Sequence, residues 1–553
     1  MPNSVPTLAV FRNRTFRMLW IATLASNFGG LVQSVGAAWM MTSLTASHSM
    51  VALVQSSVTL PIMIFSLAAG VFADNFDRRK IMLWAQGFMC VVSVVLAFLA
   101  FENLLTPWLL LTFTFLIGCG TAMHIPSWQA SVGDIVTREE LSAAVSVNSM
   151  GFNMMRSVGP AAGGAIVALA GAAAAFAVNA LSYVAIIAAL LGWRPALAPR
   201  RLPREPFGSA FAAGLRYVAL SPNLVRTIAR GFVFGLSAVV ILALLPLVVR
   251  DHLAGDALVY GALLGCFGFG AVFGALANGW LRDRYRNETI VRLGFSGFAV
   301  TCVVLALSDI AMFNALALLL AGFCWVISMS LFNVTMQLST PRWVVGRVLA
   351  LYQTGVFGGM AGGSWLWGAI AESAGLGSAL LIAGALLLCG ALVGLIAPLP
   401  DSSDLNLDPL NRFSEPPLQL DITPRSGPIM IMIDYRIDQG DVPRFLDLMN
   451  QHRRVRIRDG AQQWALLRDL EDPDLWTESY HVPTWVEYIR HHERRTQADF
   501  GVFEEISKLH KGTRPLRVHR LIERQTVSPR DNIPRRPGRA AEPPVENPDE
   551  TGR

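Results

Sequence analysis

GVFADNFDRRK, residues 70–80, decides the reading of this chain. Five charged side chains, Asp74, Asp77, Arg78, Arg79 and Lys80, are gathered between two long apolar runs. Outward from that point the chain is unusually oily. Of its 553 residues 53% are hydrophobic and only 15% are charged, with a mean hydropathy of +0.45. A soluble protein carries about 25% charged residues. Up to about residue 400 the apolar runs are each long enough, at roughly 20 residues, to span a bilayer. The remainder has the composition of an ordinary soluble domain. The sequence therefore predicts an all-α membrane domain of about twelve helices followed by a smaller α+β domain.

The expected limits are 1–200 for a first six-helix bundle, 201–223 for a central loop and 224–400 for a second six-helix bundle. A linker over 401–427, an α+β domain over 428–525 and a disordered tail over 526–553 follow. Met1–Arg17 is polar, without the pattern of a cleavable signal. Basic residues gather in every second loop. Arg12, Arg14 and Arg17 precede the first run, Arg78–Lys80 follow the second, and Arg138 follows the fourth. Arg194, Arg200, Arg201, Arg204, Arg216 and Arg226 fill the central loop, Arg282–Arg286 follow the eighth run, and Arg342 and Arg347 follow the tenth. Arg250 is the single basic residue in the alternate loops. The positive-inside rule then predicts a multi-pass protein of the cytoplasmic membrane with both termini in the cytoplasm. The same distribution explains the net charge of +6 without nucleic acid.

The two halves match at one spacing. Gly70, Asp74 and Arg78 correspond to Gly274, Asn278 and Arg282, each 204 residues on (274 − 70). Gly118 corresponds to Gly322, Gln129 to Asn333 and Arg138 to Arg342. Gly151, Gly159, Gly164 and Gly171 correspond to Gly355, Gly363, Gly368 and Gly375. Two parallel six-helix repeats are the plan of an alternating-access transporter.

Gly70-x-x-x-Asp74-x-x-x-Arg78-Arg79-Lys80 resembles the conserved loop motif of the major facilitator superfamily. It departs at Asn75, where a basic residue is usual, and at Asp77, where glycine is usual. With Ser26-Asn27, Leu44-Thr45-x-Ser47, Leu60-Pro61 and Gly346-Arg347-Val348, the set resembles the enterobactin-exporter-like branch, the transmembrane secretion effector family. The resemblance implies a secondary active exporter of small molecules, siderophore-like or drug-like, with a proton as counter-ion. The motif implies a conformational latch. Asp74 would cap the helix that follows Gly346, Gly70 would let the two helices approach closely, and Arg78 would pair with Asp134, with Arg79 beside it. Topology alone could also account for Arg78–Lys80.

Gly159-Pro160-Ala161-Ala162-Gly163-Gly164 resembles part of an exporter motif and predicts a kink with close packing, although Met155 replaces its upstream glycine. Arg156, just before it, is a charge within a span. It could attract an anionic substrate, pair with a carboxylate or snorkel. His124 could carry a proton or simply pack. Asn27, Gln33, Gln55, Asn148, Asn153 and Gln353 are cavity candidates, each by itself reading more readily as an interhelical hydrogen bond than as a substrate contact. No Asp or Glu falls in the middle of a span, so coupling has no readable residue.

In the tail, Ile429–Arg436, Gln463–Asp469, Trp476–His481 and Leu516–Ile522 read as strands, and Val442–Arg458 and Trp485–His510 as helices. That β-α-β-β-α-β order predicts a ferredoxin-like domain and resembles antibiotic-biosynthesis-monooxygenase-like domains, which implies dimerisation. His491, His492, Trp464, Trp476 and Trp485 are conspicuous there, but no nucleophile–base pair stands out, so the expectation is a regulatory or dimerising module without catalysis. The six cysteines all lie in apolar runs, without metal spacing. No G-x-x-x-x-G-K-[ST] loop occurs, and lysine appears only at 80, 508 and 511, which argues against ATP-driven transport. No cofactor, metal or catalytic residue is expected. The expected partners are the lipid bilayer and a small-molecule substrate. An importer, or a transporter whose tail modifies its cargo, are the rival readings.

Overall fold

The computed structural model describes residues 7–137, 140–194, 207–399, 406–407, 410, 413, 415–512 and 516–523. The tail from 526, Arg138, Arg200, Arg201, Arg204 and part of the expected linker lie outside the described residues. The chain forms two compact units. One comprises Met1–Ala210, Asn223–Met336 and Leu349–Asp401, the other Phe211–Pro222, Gln337–Val348 and Ser402–Arg553.

The first unit is helical. Its first half contains α1 (Arg14–Leu44), α2 (His48–Asn75), α3 (Arg78–Phe101), α4 (Pro107–Ile135) and α5 (Leu141–Gly192). Polar residues start these helices by accepting hydrogen bonds from otherwise orphaned N–H groups: Asn13 for α1, Ser47 for α2, Asp77 for α3 and Thr106 for α4. After α6 (Phe207–Ala219), which occupies much of the central loop, come α7 (Pro222–Leu247), α8 (Ala257–Arg284) and α9 (Asn287–Leu307). Then follow α10 (Ala311–Leu338), α11 (Val345–Ala374) and α12 (Leu376–Ile396). A π-helical turn, Val248–His252, extends α7. Ten helices among the described residues are long and apolar enough to cross a membrane.

α5 is 52 residues long, and its one non-helical residue is Gly171, at φ 79° and ψ 170°. The corresponding Gly375 starts α12 at φ 90° and ψ 156°. Residues 204 apart therefore adopt the same glycine-only conformation at the same place in each half. The packing repeats too. A Cβ on Gly118 would meet Pro61 and the carbonyls of Ser57 and Val58 on α2, and one on Gly322 would meet the backbone of Phe267 and Ala271 on α8. Gly164 of α5 lies against the backbone of Ala257 and Gly261 on α8, and Gly368 of α11 against Ser49 and Ala52 on α2. The helix stays regular through Gly159–Gly164, so these small residues serve close packing and the turn falls later, at Gly171.

The tail holds β1 (Ile429–Arg436), α13 (Val442–Asp459), β2 (Gln462–Arg468), β3 (Leu475–Val482), α14 (Trp485–Glu493), α15 (Gln497–Leu509) and β4 (Arg517–Ile522). The sheet order is β2-β3-β1-β4, and β1 pairs antiparallel with both β3 and β4. Ile429, Ile431, Ile433 and Tyr435 alternate inward from β1 against Phe445, Leu448 and Met449 of α13. The single helix expected over 485–510 is two, because Thr496 turns to the extended conformation and caps a new helix at Asp499. Tyr217 of α6 and Trp343 of the α10–α11 connection belong to this second unit. Their rings meet edge-on at 5.8 Å. Arg458 stacks on Tyr217 at 5.0 Å and Arg494 on Trp343 at 4.5 Å.

Replacing Gly171 or Gly375 by alanine should cost about 1–3 kcal/mol, since each adopts a backbone region that only glycine tolerates. Gly30→Ala, in the helical interior of α1 with open space around the added methyl, should be neutral or stabilising by roughly 0.5–1 kcal/mol. Melting curves of the detergent-solubilised chain compare the three. Equal melting of Gly171→Ala and Gly30→Ala would refute the assignment.

Candidate functional site

At one end of the helical unit the opening motif resolves into separate jobs. Asp77 accepts from the backbone N–H of Arg79 at 3.0 Å and of Lys80 at 3.4 Å, starting α3. That gives a cause for the departure from glycine there. Arg78 donates to Asp134 at 2.7 Å and to the Ala130 carbonyl at 3.0 Å, tying α3 to α4. Arg79 donates to the carbonyls of Leu190 and Leu191, each at 2.8 Å, and so caps the end of α5. These described contacts all stay inside the first half. The side chain of Asp74 lies outside the described residues. Among the described residues no atom comes within 4 Å of where a Cβ on Gly70 would stand, so the close approach expected there is absent. The contacts between α2 and α11 lie farther along, at Ser66–Thr354 (2.9 Å) and Ser56 to the Ala361 carbonyl (2.8 Å). In the second half Asn278 donates to Ser330 at 2.9 Å, a bond between α8 and α10.

The interior polar residues divide into two sets. Gln33 is buried in a network with Ser93 (3.1 Å) and Asn179, which also donates to Tyr183 at 3.1 Å. This network ties α1, α3 and α5 together and leaves Gln33 with a packing role. Asn148 accepts from Trp128 at 3.4 Å, and Asn153 bonds its own helix at the Ser149 carbonyl. Asn27, Gln55, His124 and Gln353 are half-buried. Arg156 is different. Its guanidinium lies over two rings of the second half, Phe267 of α8 at 5.6 Å and Trp325 of α10 at 5.9 Å. A cation from one half thus rests on aromatic faces of the other.

One charged group escaped the sequence reading. Arg230, near the start of α7, pairs with Glu288 of α9 at 3.1 Å and donates to the Ala397 carbonyl beyond α12. It sits so near the span's end that it passes for a loop charge. At the end opposite Arg78 a second cluster joins the halves. Glu372 of α11 accepts from the Ser47 hydroxyl at 2.8 Å and the Ser49 N–H at 2.9 Å. His48 lies 3.4 Å from Asp251, and Arg250 donates to the Thr42 carbonyl at 3.2 Å.

In the tail one of the conspicuous residues, Trp464, contacts a buried carboxylate, and His491 approaches it through Arg456. Glu478, fully buried, accepts from Arg456 (3.0 Å), Trp464 (2.9 Å) and Tyr435 (3.1 Å). Burial alone would raise its pKa, but Arg456 and His452 hold it well below the usual carboxylate range. His491 contacts Arg456 at 3.3 Å, and burial with that guanidinium pushes it well below the usual imidazole value. His492 bonds the Tyr488 carbonyl through Nδ1, and Trp485 donates to Glu415. Among the described residues no group of three or more His, Cys, Asp or Glu side chains could hold a metal, and the six cysteines are free thiols.

Two halves of long apolar helices, packed backbone to backbone and related by a fixed offset, define a membrane transporter of the major facilitator type. Solved structures agree on the fold. A bacterial homologue of the human lysosomal transporter Spinster, inward-facing and unoccupied, aligns over 70% of this chain and 95% of its own, with 14% identity and a TM-score of 0.52. A POT family transporter in complex with 5-aminolevulinic acid aligns over 71% and 97%, with 11% identity and a TM-score of 0.58. The transmembrane secretion effector family model matches residues 5–527, and the chain belongs to that family. The enterobactin exporter EntS of Citrobacter koseri is 25% identical over 356 residues, 64% of this chain and 82% of that one. The EntS of Escherichia coli O1:K1 is 28% identical over 333 residues, 58% and 78% respectively.

Removing the charge of Glu478 strands Arg456 inside the tail. Glu478→Gln should destabilise that domain by about 3–5 kcal/mol at neutral pH, read by hydrogen exchange of β1 and β3 in the full chain. In the wild type the same stabilisation is present above the unfolded carboxylate value of about 4.3 and fades as the pH falls below it, because the folded pKa is depressed. Unchanged exchange in the variant would refute the role.

Proposed function

We propose that this chain is a secondary active exporter of the cytoplasmic membrane, moving small amphipathic or anionic metabolites of the siderophore or drug-like class by alternating access. The observation that carries the reading is Arg156, a charge inside the bilayer span that reaches from α5 onto Phe267 and Trp325 of the opposite half. Intramembrane charges in such positions mark substrate pathways, and a cation beside aromatic faces suits an anionic aromatic compound. The naming of its relatives as enterobactin exporters supports the same direction.

The basic loops support an orientation with the Arg78 end in the cytoplasm and the His48 end outside. The two arms of α5 about Gly171, together with α11, bring the ten candidate spans to twelve, which keeps both termini on one side. In that orientation α2 and α11 are joined at the outer end, and among the described residues nothing stands against Gly70 at the other, which supports a cytoplasm-facing state. Asp74 would complete a latch on the cytoplasmic side when the halves close there, with Arg78, Arg79 and Asp134 holding its base in place. A proton is the counter-ion. The tail is a cytoplasmic ferredoxin-like module, supported by its β2-β3-β1-β4 order, that regulates or pairs transporters rather than catalysing a reaction.

Comparative mass spectrometry of medium and cell extract tests this, using a deletion strain complemented with wild type, Arg156→Ala or Arg156→Lys in iron-poor and iron-rich medium. A compound released by wild type should be retained in the deletion strain, and Arg156→Ala should lower its release about tenfold. Arg156→Lys should recover part of it. A compound left in the medium by the deletion strain would reverse the direction to uptake. No redistribution of any compound would defeat export of a native metabolite.

A further inference from the structure

The cluster at the His48 end has a chemical asymmetry that packing alone does not require. His48 begins α2, and both of its ring nitrogens face acceptors of the second half. Nδ1 lies 3.2 Å from the backbone carbonyl of Ala371 on α11, and Nε2 lies 3.4 Å from the carboxylate of Asp251 beyond α7. A carbonyl and a carboxylate can only accept. A neutral imidazole carries one N–H, so one of its nitrogens would direct a lone pair at an acceptor. The imidazolium offers an N–H to the Ala371 carbonyl and at the same time sets a positive charge against the Asp251 carboxylate.

We propose that His48 is a proton-operated latch between the two halves, closing the His48 end of the transporter when protonated and releasing it when neutral. This rests on the exporter reading above only for the side of the membrane from which the proton comes, which that reading makes the outside.

The surroundings fit the charge. Asp251 accepts from Arg250 through both oxygens, at 2.6 and 3.0 Å, and Arg250 reaches back to the Thr42 carbonyl of α1. Glu372 stands one residue beyond Ala371 and is held by Ser47 and Ser49, the residues that flank His48. One guanidinium thus faces two carboxylates, and a charged His48 brings the group to neutrality. The remaining titratable neighbour is His252, adjacent to Asp251 and 204 residues from His48 (252 − 48), so the latch falls at equivalent turns of the two halves. His48 is 26% exposed and Asp251 33%, so water delivers the proton directly. The contacts of His48, of Glu372 and of Arg250 with Thr42 all cross from α1, or from α2 and its cap, to α11 or the turn after α7. They cannot survive separation of the halves at this end. Leu44-Thr45-x-Ser47 acquires a role here as well: Ser47 caps α2 and grips Glu372 at the same time.

The test measures the gap itself. Spin labels are placed on Glu102→Cys and Asp309→Cys, exposed positions at this end of the two halves, in a chain whose six native cysteines are replaced. Double electron–electron resonance then gives the closed fraction between about pH 5.5 and about pH 8.5, a window that spans imidazole titration. In the otherwise wild-type chain the ratio of closed to open should rise about tenfold on acidification, the worth of one hydrogen bond to a charged group. His48→Gln should remove the pH dependence. His48→Arg, a permanent cation with several donors, should stay closed throughout. Asp251→Asn, which keeps the imidazole, should shrink the shift. A wild-type ratio that does not change with pH, or a pH dependence that persists in His48→Gln, would overturn the latch. Labelling of Glu102→Cys by a membrane-impermeant thiol reagent in intact cells tests the orientation separately. Failure to label there would reverse the sidedness and leave the latch standing.

Discussion

The whole arrangement depends on backbone touching backbone where the halves cross. At Gly164 of α5 and Gly261 of α8 neither helix has room for a Cβ, and α11 meets α2 in the same way at Gly368. Lipid tails are as apolar as leucine, so no hydrophobic force drives one span against another, and close contact of small residues has to supply the attraction. Such contacts are dry and nearly non-directional. They hold the halves together through a rocking motion without specifying its end points. The end points must come from directional groups at the two ends. The polar clusters are found there: Arg78, Arg79 and Asp134 at one end, and His48, Asp251, Arg250 and Glu372 at the other. The described bonds at the first end stay within one half, and those of His48 and Glu372 at the second cross between halves.

Much of the fold was legible because lipid leaves so few options. A run of about 20 apolar residues can only satisfy its backbone as a helix. The offset of 204 residues was readable from glycines because two of them, Gly171 and Gly375, occupy a conformation that excludes other residues, and others sit where helices touch. The sheet of the tail could be read from alternation, as Ile429, Ile431, Ile433 and Tyr435 show. The break between α14 and α15 could not, since a threonine cap inside a helical pattern looks like one more polar position.

The site was less legible, for a reason of geometry. Sequence patterns report neighbours along one helix, and the informative contacts here join residues from 60 to 325 positions apart. Arg156 announces itself as a charge in an apolar run, but its partners are rings, and Phe267 and Trp325 look like any core aromatic. Gln33 looks like a cavity residue until Asn179 and Ser93 close around it. Gly70 looks like a packing glycine, yet the space around it is open in this state. Arg250 stood out as the lone basic residue in the alternate loops. Its meaning needed Asp251 and the Thr42 carbonyl, which no spacing rule connects.

The tail raises a different physical question, namely why a small domain would bury so much charge. Glu478, Arg456, His452 and His491 occupy the layer between sheet and helices where aliphatic side chains would be more stabilising. Buried ions add specificity of arrangement more readily than they add stability. They fix α13, α14 and β3 in one relative position, and that position sets the outward face of the domain. The same helices present Arg458 and Arg494, which are oriented from behind by Asp499 and by the Asp459 carbonyl. Their planar guanidinium groups lie on Tyr217 and Trp343, side chains contributed by α6 and by the α10–α11 connection. A lysine would satisfy the charge but could not stack. The choice of arginine at both places therefore suits a fixed packing of these segments within the second unit. That the family model runs on through residue 527 places the tail within the pattern of the family as a whole. The charged core and the aromatic contacts then belong to one design.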